Sequence, residues 1–319
     1  MAFDPNVHLA YQPPAKRHSM TDLGLDPSRA LCDFAVTEPF RLLSDEGVKA
    51  VRQEIFSEPV QRLCKFTSKR TPSVLRGATQ QSQLLKELWY SREVTEAVSD
   101  AAGKRISPHP VEYEVAHTNL QDATSSAPVD DWHCDSLPFV VVVLLSDLSG
   151  ATGGATVLRT GSGKEMAVRI PRPGWAIVLQ GQHVEHYAQR AVGVTERTTM
   201  VSAYIDADWQ TQDNSSLKAS RTYSVQSELY HQWAAYRLDA LATRAAAMQC
   251  NLAQDKAAGN GFDRDQVMDW CTALMSHLQR TVDELKVDEQ KSAESPPPPM
   301  RPASPLPMGL ASPKQQTVI

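Results

Sequence analysis

The sequence predicts an α+β protein in which an all-β sandwich or barrel lies between helical flanks. Short segments with a hydrophobic period of two fill the middle of the chain, beginning near residue 110. Apolar residues with a helical period occur before them, near 44–55, and return from residue 225. We therefore expect a β core of about 100 residues, at 106–210, with helices on both sides of it.

The part of the chain before the β core is predicted to contain a flexible arm over 1–25 and a helical flank over 26–105. Ser44 can cap the first helix of this flank, because its hydroxyl can accept a hydrogen bond from the first turn. A second helical region covers 82–102 and is followed by Gly103, a residue that commonly ends helices. These helices are expected to support the core.

The core itself is predicted to be a succession of short strands joined by turns. The first segment, 110–121, alternates so that Tyr113, His117 and Asn119 share one face. Glycine-containing turns separate the later segments, and none of these segments has a helical period. The later strands are expected at 137–145, 155–159, 165–170, 174–181 and 197–205.

The chain after the core is predicted to form helices over 211–290 that pack on the β core. Asp263 is positioned to cap the second of these helices, with Gln266 three residues further on. The tail over 291–319 is rich in proline and poor in bulky apolar residues, which favours an extended, disordered segment. The sequence thus predicts that the folded part of the protein ends near residue 290.

The composition excludes several classes of function. A net charge of −5 and a pI near 6.0 provide no basic surface for a nucleic-acid backbone. No apolar run is long enough to span a bilayer, and the first residues lack the pattern of a secretory signal. The five cysteines are scattered without a CxxC pair. We expect a protein of the cytoplasm, with the nucleus not excluded, that acts on a small molecule; the oligomeric state is left open.

The residues that point to chemistry begin with His133 and Asp135. Side chains at i and i+2 of an extended strand point the same way, so this imidazole and carboxylate can share one metal ion. His186 or His183 can supply a third ligand from a later segment. Two histidines and one carboxylate on a β scaffold are the ligand set of non-heme Fe(II) sites, which leaves further coordination positions open.

The same residues resemble those of the Fe(II)- and 2-oxoglutarate-dependent dioxygenases. The order is H-x-D at 133–135, an apolar strand with LSDLSGATGGATVL, then PGWAIVL, His186 and Arg197. The GGATV phrase is similar to the prolyl-4-hydroxylase branch, and the span 38–205 is similar to uncharacterised fungal members. The gap from His186 to Arg197 is closer to the family's spacing than the gap from His183 is, so we favour His186.

The resemblance implies a double-stranded β-helix, a jelly-roll or cupin-like core, with helices before and after it. It implies that Fe(II) is held by His133, Asp135 and His186, and that Arg197 binds the distal carboxylate of 2-oxoglutarate. Thr199 and Asn119 are further candidates for binding this cosubstrate. Four residues are candidates for contacting the substrate, although each of them also has a purely structural interpretation: Tyr113, His117, Trp132 and Arg159.

The activity that the resemblance implies is oxidation of an unactivated C–H bond, by hydroxylation or a related reaction. Such enzymes use O2 and 2-oxoglutarate, and they release succinate and CO2. We expect a small-molecule substrate such as an amino acid or a specialised metabolite. The alternatives are a prolyl-hydroxylase-like modifier of proteins and a catalytically silent β-barrel that binds a ligand or a partner.

Overall fold

A computed structural model describes residues 2–67, 73–122, 131–208 and 210–286. The predicted tail over 291–319 lies outside these residues. The α-helices are α1 (Pro5–His8), α2 (Asp45–Ile55), α3 (Glu58–Cys64), α4 (Gln83–Tyr90), α5 (Arg92–Ala102), α6 (Gln226–Ala257) and α7 (Arg264–Leu285). The strands are β1 (Arg17–His18), β2 (Val36–Thr37), β3 (Phe40–Arg41), β4 (Lys65–Phe66), β5 (Val74–Leu75), β6 (Ile106–Pro108), β7 (His117–Asp122), β8 (Phe139–Leu144), β9 (Thr152–Gly153), β10 (Thr156–Arg159), β11 (Glu165–Val168), β12 (Trp175–Leu179), β13 (His186–Ala188), β14 (Ala191–Val192) and β15 (Glu196–Asp206).

The core of the protein is built on a ten-stranded sheet with the order β1-β2-β12-β8-β15-β7-β5-β4, to which β3 and β6 are attached at the side. Its pairings are antiparallel, and the long strand β15 lies between β8 and β7. The outer face of this sheet, which includes Val141, Val143 and Met200, packs against the N-terminal helices in one apolar cluster. The helical flank therefore supports the sheet from outside, as the sequence predicts.

A smaller antiparallel sheet, with the order β11-β10-β13, faces the inner side of the large sheet. An isolated bridge between His133 and His186 extends it beyond β13. Inner-face residues of both sheets, including Val140, Leu158 and Ile177, form a second apolar cluster between them. Two facing antiparallel sheets connected in this order form a double-stranded β-helix, which confirms the predicted fold class.

The predicted flexible arm over 1–25 is wrong for the described residues 2–25. Strand β1 pairs with β2 at the edge of the large sheet, and the Ser44 hydroxyl donates a hydrogen bond of 2.6 Å to the Val7 carbonyl. Met20 and Leu23 are buried in the inner cluster. The physical reason is that the edge strand of a sheet has unpaired backbone N–H and C=O groups. A neighbouring segment can pair with these groups whether or not its sequence has a periodic pattern.

The first core strand is shorter than predicted. Glu112–Glu114 form a turn of 3₁₀-helix, and β7 begins only at His117, after Ala116 with a φ of 58°. A left-handed φ at a non-glycine residue reverses the local chain direction and breaks the period-two pattern. Tyr113 therefore does not share a strand face with His117, although His117 and Asn119 do share one.

The C-terminal helices contact the core through the first part of α6. Leu229 and Trp233 pack with Val111 and Tyr113 in a third apolar cluster. Asp263 caps α7 as predicted, because its side chain accepts a hydrogen bond from the Gln266 backbone. In the part of the chain that the structure describes, no helix has the length and apolar character needed to cross a membrane.

Candidate metal centre

Two histidines meet at the open end of the small sheet. The backbone N–H of His133 donates a hydrogen bond to the His186 carbonyl, and that of His186 donates one to the His133 carbonyl, both at 2.9 Å. This reciprocal pair forces the two residues to lie directly opposite each other, so their side chains emerge on the same face of the sheet. The ring centroids are 4.4 Å apart.

Asp135 completes a three-residue cluster on this face. Its Oδ1 lies 3.5 Å from His133 Nε2, and its Oδ2 lies 3.7 Å from His186 Nε2. The three residues can each direct one ligand atom to a common point, since these atoms all lie within 4.8 Å of one another. Among the described residues, this cluster contains His186 and not His183, which agrees with the choice made from the sequence.

Hydrogen bonds orient both imidazoles toward the common point. The Nδ1 of His133 lies 2.7 Å from the Asp131 carbonyl, and the Nδ1 of His186 lies 2.9 Å from the Val184 carbonyl. A carbonyl can only accept, so each Nδ1 carries a proton, and in the neutral form of each ring Nε2 holds the lone pair that can bind a metal ion. A backbone carbonyl behind each ring is the usual way in which proteins fix a histidine for metal binding.

The carboxylate of Asp135 is also suited to bind a metal ion. Its Oδ2 is buried without a hydrogen-bond partner among the described residues, and such an atom is costly unless a cation or a donor compensates it. Burial alone would raise the pKa of Asp135, but His186 and His133 beside it hold the pKa below its ordinary value. The site offers one anionic oxygen and, when both imidazoles are neutral, two nitrogen lone pairs, which is a donor set suited to Fe(II).

Gly181 makes room for this carboxylate and was not singled out from the sequence. Its carbonyl accepts a hydrogen bond of 2.9 Å from the Asp135 backbone. A Cβ atom added at this position would overlap Asp135 Oδ2 and press on its Cγ. Glycine is required here by close approach rather than by backbone conformation, and only the three-dimensional contact reveals that.

Arg197 is a buried cation on β15. It is 3% exposed, and it donates hydrogen bonds to two neutral groups, the Gly154 carbonyl and the Thr199 hydroxyl, both at 3.4 Å. Among the described residues it has no carboxylate partner. Burial lowers the pKa of the guanidinium to about 10, so it remains charged at neutral pH. A buried cation with two long hydrogen bonds is a strong binding position for an anion.

The strand register places the other predicted cosubstrate residues beside Arg197. Thr199 lies two residues further along β15 and directly opposite Asn119 of β7, while His117 lies opposite Val201. Val201 belongs to the cluster between the two sheets, so all of these side chains are on the inner face. The pKa of His117 is lowered well below its ordinary value by burial and by Arg76, which makes this imidazole neutral.

Trp132 and Arg159 are not brought to the inner face. Alternate residues of a strand point to opposite sides, and the neighbour His133 occupies the inner one. The Arg159 guanidinium lies 4.2 Å above the Trp132 ring and 2.8 Å from Glu185, and Trp132 also packs edge-on against Tyr187. These contacts form a cluster on the outer face of the small sheet. Both residues therefore have a structural role instead of the predicted contact with the substrate.

Tyr113 and His183 also lie apart from the three-residue cluster. Tyr113 is buried in the apolar cluster beneath α6, and its hydroxyl accepts a hydrogen bond of 3.3 Å from the Val225 backbone. His183 lies in the turn after β12, where its backbone N–H donates to the Gln180 carbonyl. Burial lowers the pKa of His183. The structure thus gives Tyr113 a packing role between the core and the C-terminal helices.

No protein-family model matches the chain, and no curated protein matches it. Solved structures do resemble it. The non-heme α-ketoglutarate-dependent carbocyclase SnoK from nogalamycin biosynthesis is 16% identical over 62% of this chain and 88% of its own, with a TM-score of 0.47. The epimerase SnoN, solved with Fe³⁺, α-ketoglutarate and nogalamycin RO, is 15% identical over 51% of this chain and 76% of its own, with a TM-score of 0.38.

A prolyl-4-hydroxylase from Pseudomonas putida is 16% identical over 50% of this chain and 85% of its own, with a TM-score of 0.33. The structural neighbours are Fe(II)/2-oxoglutarate-dependent oxygenases at low identity. This likeness concerns the fold. The side chains of the site itself carry the chemical information.

Proposed function

We propose that the protein is a non-heme Fe(II)- and 2-oxoglutarate-dependent oxygenase. The observation that carries this proposal is the combination of His133, Asp135 and His186 with Arg197 on the inner side of one double-stranded β-helix. The first three supply ligands for a divalent cation. Arg197 supplies a buried positive charge that lacks a carboxylate partner among the described residues, and 2-oxoglutarate is a dicarboxylate that can occupy both places.

Each residue has a distinct task in this proposal. Fe(II) and 2-oxoglutarate, when bound, supply the oxidising chemistry that uses O2 and releases succinate and CO2. The three ligands approach from one side, which leaves positions open for the cosubstrate. Arg197 fixes the far carboxylate through its planar fork of N–H donors, and Thr199 orients that fork. Asn119, opposite Thr199, is placed to donate to the same ligand.

The proposed substrate is a small molecule such as an amino acid or a specialised metabolite. His117 and Asn119 are half-buried on the inner face, between the two sheets, so they offer polar groups to a ligand held there. Such a setting suits a compact ligand whose C–H bond is held near the metal. Hydroxylation is the reaction we propose, since it needs no group beyond those already named.

The direct test is an assay of iron binding and succinate formation with the purified protein. Under anaerobic conditions the protein should bind one Fe(II) per chain, and after addition of 2-oxoglutarate and O2 it should form succinate. Asp135→Ala should weaken iron binding by about a hundredfold or more and abolish turnover, because it removes the anionic ligand. The exposed Asp239→Ala on α6 is the matched control and should behave as wild type.

Several results would contradict the proposal. Full succinate formation by Asp135→Ala would remove the three-residue cluster from the mechanism. Absence of iron binding by the wild-type protein would favour a catalytically silent barrel. A screen of metabolites and proline-containing peptides for stimulated succinate release then separates a small-molecule substrate from a protein substrate.

A further inference from the structure

Helix α7 has two faces of very different character. The face toward α6 buries polar groups: Arg237 of α6 donates hydrogen bonds of 3.0 Å to the His277 carbonyl and to the Thr281 hydroxyl. His277 is 1% exposed and Thr281 is 8% exposed. A second face, open to solvent, carries exposed apolar residues, which we call the apolar stripe: Met268, Cys271, Met275, Leu278 and Val282.

The exposure of the apolar stripe is large. Met268 is 53% exposed, Met275 64%, Leu278 42% and Val282 50%. A surface helix normally places polar residues on its outer side, so a continuous apolar row on that side indicates a binding surface. From Met268 to Val282 the row is roughly 21 Å long at 1.5 Å per residue. It covers about two thirds of the length of α7.

The spacing of the stripe fits a helical partner. Its members follow one another at alternating steps of three and four residues. This is the a/d pattern of a heptad repeat, in which the partner is another α-helix that packs knobs into holes. Methionine at such positions adapts its shape to the facing side chains.

We propose that the apolar stripe binds the same stripe of a second copy of this chain, with the two α7 helices antiparallel. In that arrangement Met275 lies beside Leu278 of the second copy, and Cys271 lies beside Val282 of the second copy. This proposal concerns assembly and does not depend on the proposed oxygenase activity. It commits to a second copy because of the charges that flank the stripe.

The flanking charges are complementary only in the antiparallel arrangement. Asp265 and Lys286 lie along the same edge of the stripe, at its opposite ends, and both are exposed. Antiparallel pairing places Asp265 of each copy against Lys286 of the other, and it places the polar Thr272 against Gln279. Parallel pairing would instead bring like ends and like helix dipoles together.

The size of the surface predicts a weak dimer. Five side chains per copy cover less than the area of a stable interface, which is about 1,200 Å² or more in total. We therefore expect an equilibrium between monomer and dimer at micromolar concentration. The metal centre lies on another part of the fold, so each copy should retain its own iron site.

The first experiment is sedimentation velocity of the full-length chain over about 1 to 100 µM. A reducing agent is included because Cys250 and Cys271 are exposed and can oxidise. The mass should rise from one chain toward two with increasing concentration. Met275→Glu combined with Leu278→Glu should weaken dimerisation at least about tenfold, since it places charges in the apolar contact. Leu238→Glu on α6, 57% exposed but off the stripe, should leave dimerisation unchanged.

The second experiment tests the antiparallel arrangement by exchanging charges. Asp265→Lys alone and Lys286→Asp alone should each reduce dimerisation, because each variant faces like charges at both ends of its own dimer. A mixture of the two variants should restore dimerisation, since each chain then offers the charges that the other lacks. Circular dichroism should show that α7 remains helical in both variants.

The outcomes decide the proposal in either direction. The proposal is supported if the chain forms dimers as its concentration rises, if Met275→Glu combined with Leu278→Glu weakens these dimers, and if mixing the two charge variants restores them. A monomer at every concentration overturns it, including the case in which the chain's own C-terminal segment covers the stripe. A dimer that is unaffected by the stripe variant would place the contact elsewhere. Failure of the mixed charge variants to dimerise would indicate another orientation. Either result overturns the proposal.

Discussion

The β core and the α6–α7 pair differ in which side chains they bury and which they leave exposed. In the core, apolar residues such as Ile177 and Leu179 are buried between two sheets and form most of the contact between them. In the helical pair, a network around Arg237 and Asp213 is buried while methionines are left exposed on α7. Buried positions in this chain are therefore not always apolar.

The difference has a physical origin in the number of neighbours that each element has. A core strand lies between two other strands and below a facing sheet, so its inner residues meet apolar atoms on every side. Helix α7 contacts α6 on one side and is also hydrogen-bonded to the segment before α6, where Leu217 N donates to Glu284 Oε2. Its remaining apolar residues must find another partner or stay in water.

Removal of Arg237 should give the largest change in stability. Its guanidinium lies 3.2 Å from Asp213 Oδ2 and is 1% exposed. Arg237→Met leaves the Asp213 carboxylate buried and without its cation, which should cost about 3 to 5 kcal/mol of the free energy of unfolding. Chemical denaturation measures this loss. Arg92→Met, at an exposed ion pair, should leave the free energy of unfolding nearly unchanged. A loss below about 1 kcal/mol for Arg237→Met would show that the network is not the main support of the helices.

Substitution of Arg197 should separate cosubstrate binding from stability. Affinity for 2-oxoglutarate should fall in the order wild type, Arg197→Lys, Arg197→Met, because lysine keeps the charge but loses the fork. The methionine variant should lose about 2 to 5 kcal/mol of binding free energy by calorimetry, while its iron affinity changes far less. Arg169→Met, at an exposed arginine, should bind normally. Wild-type affinity in Arg197→Met would make Arg197 a structural residue.

Part of the pH dependence of stability should originate from His109, which joins the core to the helical pair. Burial lowers the pKa of this fully buried histidine to about 4, and its Nδ1 accepts a hydrogen bond of 3.1 Å from the Val111 backbone. The folded pKa is below the unfolded one. The stabilising contribution is therefore complete above pH about 6.5 and is lost as pH falls toward about 4, by up to about 3 kcal/mol.

Urea unfolding at pH 7 and at pH 5 measures this loss. His109→Asn keeps an acceptor near Val111 but cannot be protonated, so its stability should depend less steeply on pH than that of the wild type. His117, whose pKa is also lowered by burial, accounts for part of the remaining slope. The exposed His231→Asn serves as the control. An unchanged slope in His109→Asn would contradict the assignment.

The smallest expected effect is that of a single methyl group in the core. Gly181→Ala should displace the Asp135 carboxylate and weaken iron affinity by about 10- to 100-fold, an effect typical of changes next to metal ligands. Gly261→Ala, in open space between α6 and α7, should leave iron affinity unchanged. Equal affinities of both variants for iron would mean that Asp135 can move without cost.

Much of the core was predictable because strand geometry is local. The i and i+2 positions of His133 and Asp135 determine that they share a face, and the predicted strands at 137–145 and 174–181 contain the observed β8 and β12. The choice of His186 needed the resemblance, since the local pattern alone admitted His183. Its pairing with His133 depends on a register between distant segments, which no local pattern encodes.

Other features could not be predicted for the same reason. Gly181 is needed because of one contact with Asp135, and the burial of residues 2–25 follows from an unpaired sheet edge. Tyr113 fits a period of two, yet a 3₁₀ turn and the left-handed Ala116 separate it from β7. On α7, two faces of the helix carry apolar residues at helical spacing, and the sequence alone does not tell which face packs against α6.

The pairing of β2 with β12 has a consequence for how the protein is made. Val36 is the register partner of Leu179, about 140 residues later in the chain, and β1 is added outside β2. On the ribosome, the first strands must therefore wait until β12 has emerged, and β15 must follow before the sheet can close. During that interval the early strand edges have no partner, so nascent chains that stall between these strands are the species most exposed to aggregation and most dependent on chaperones.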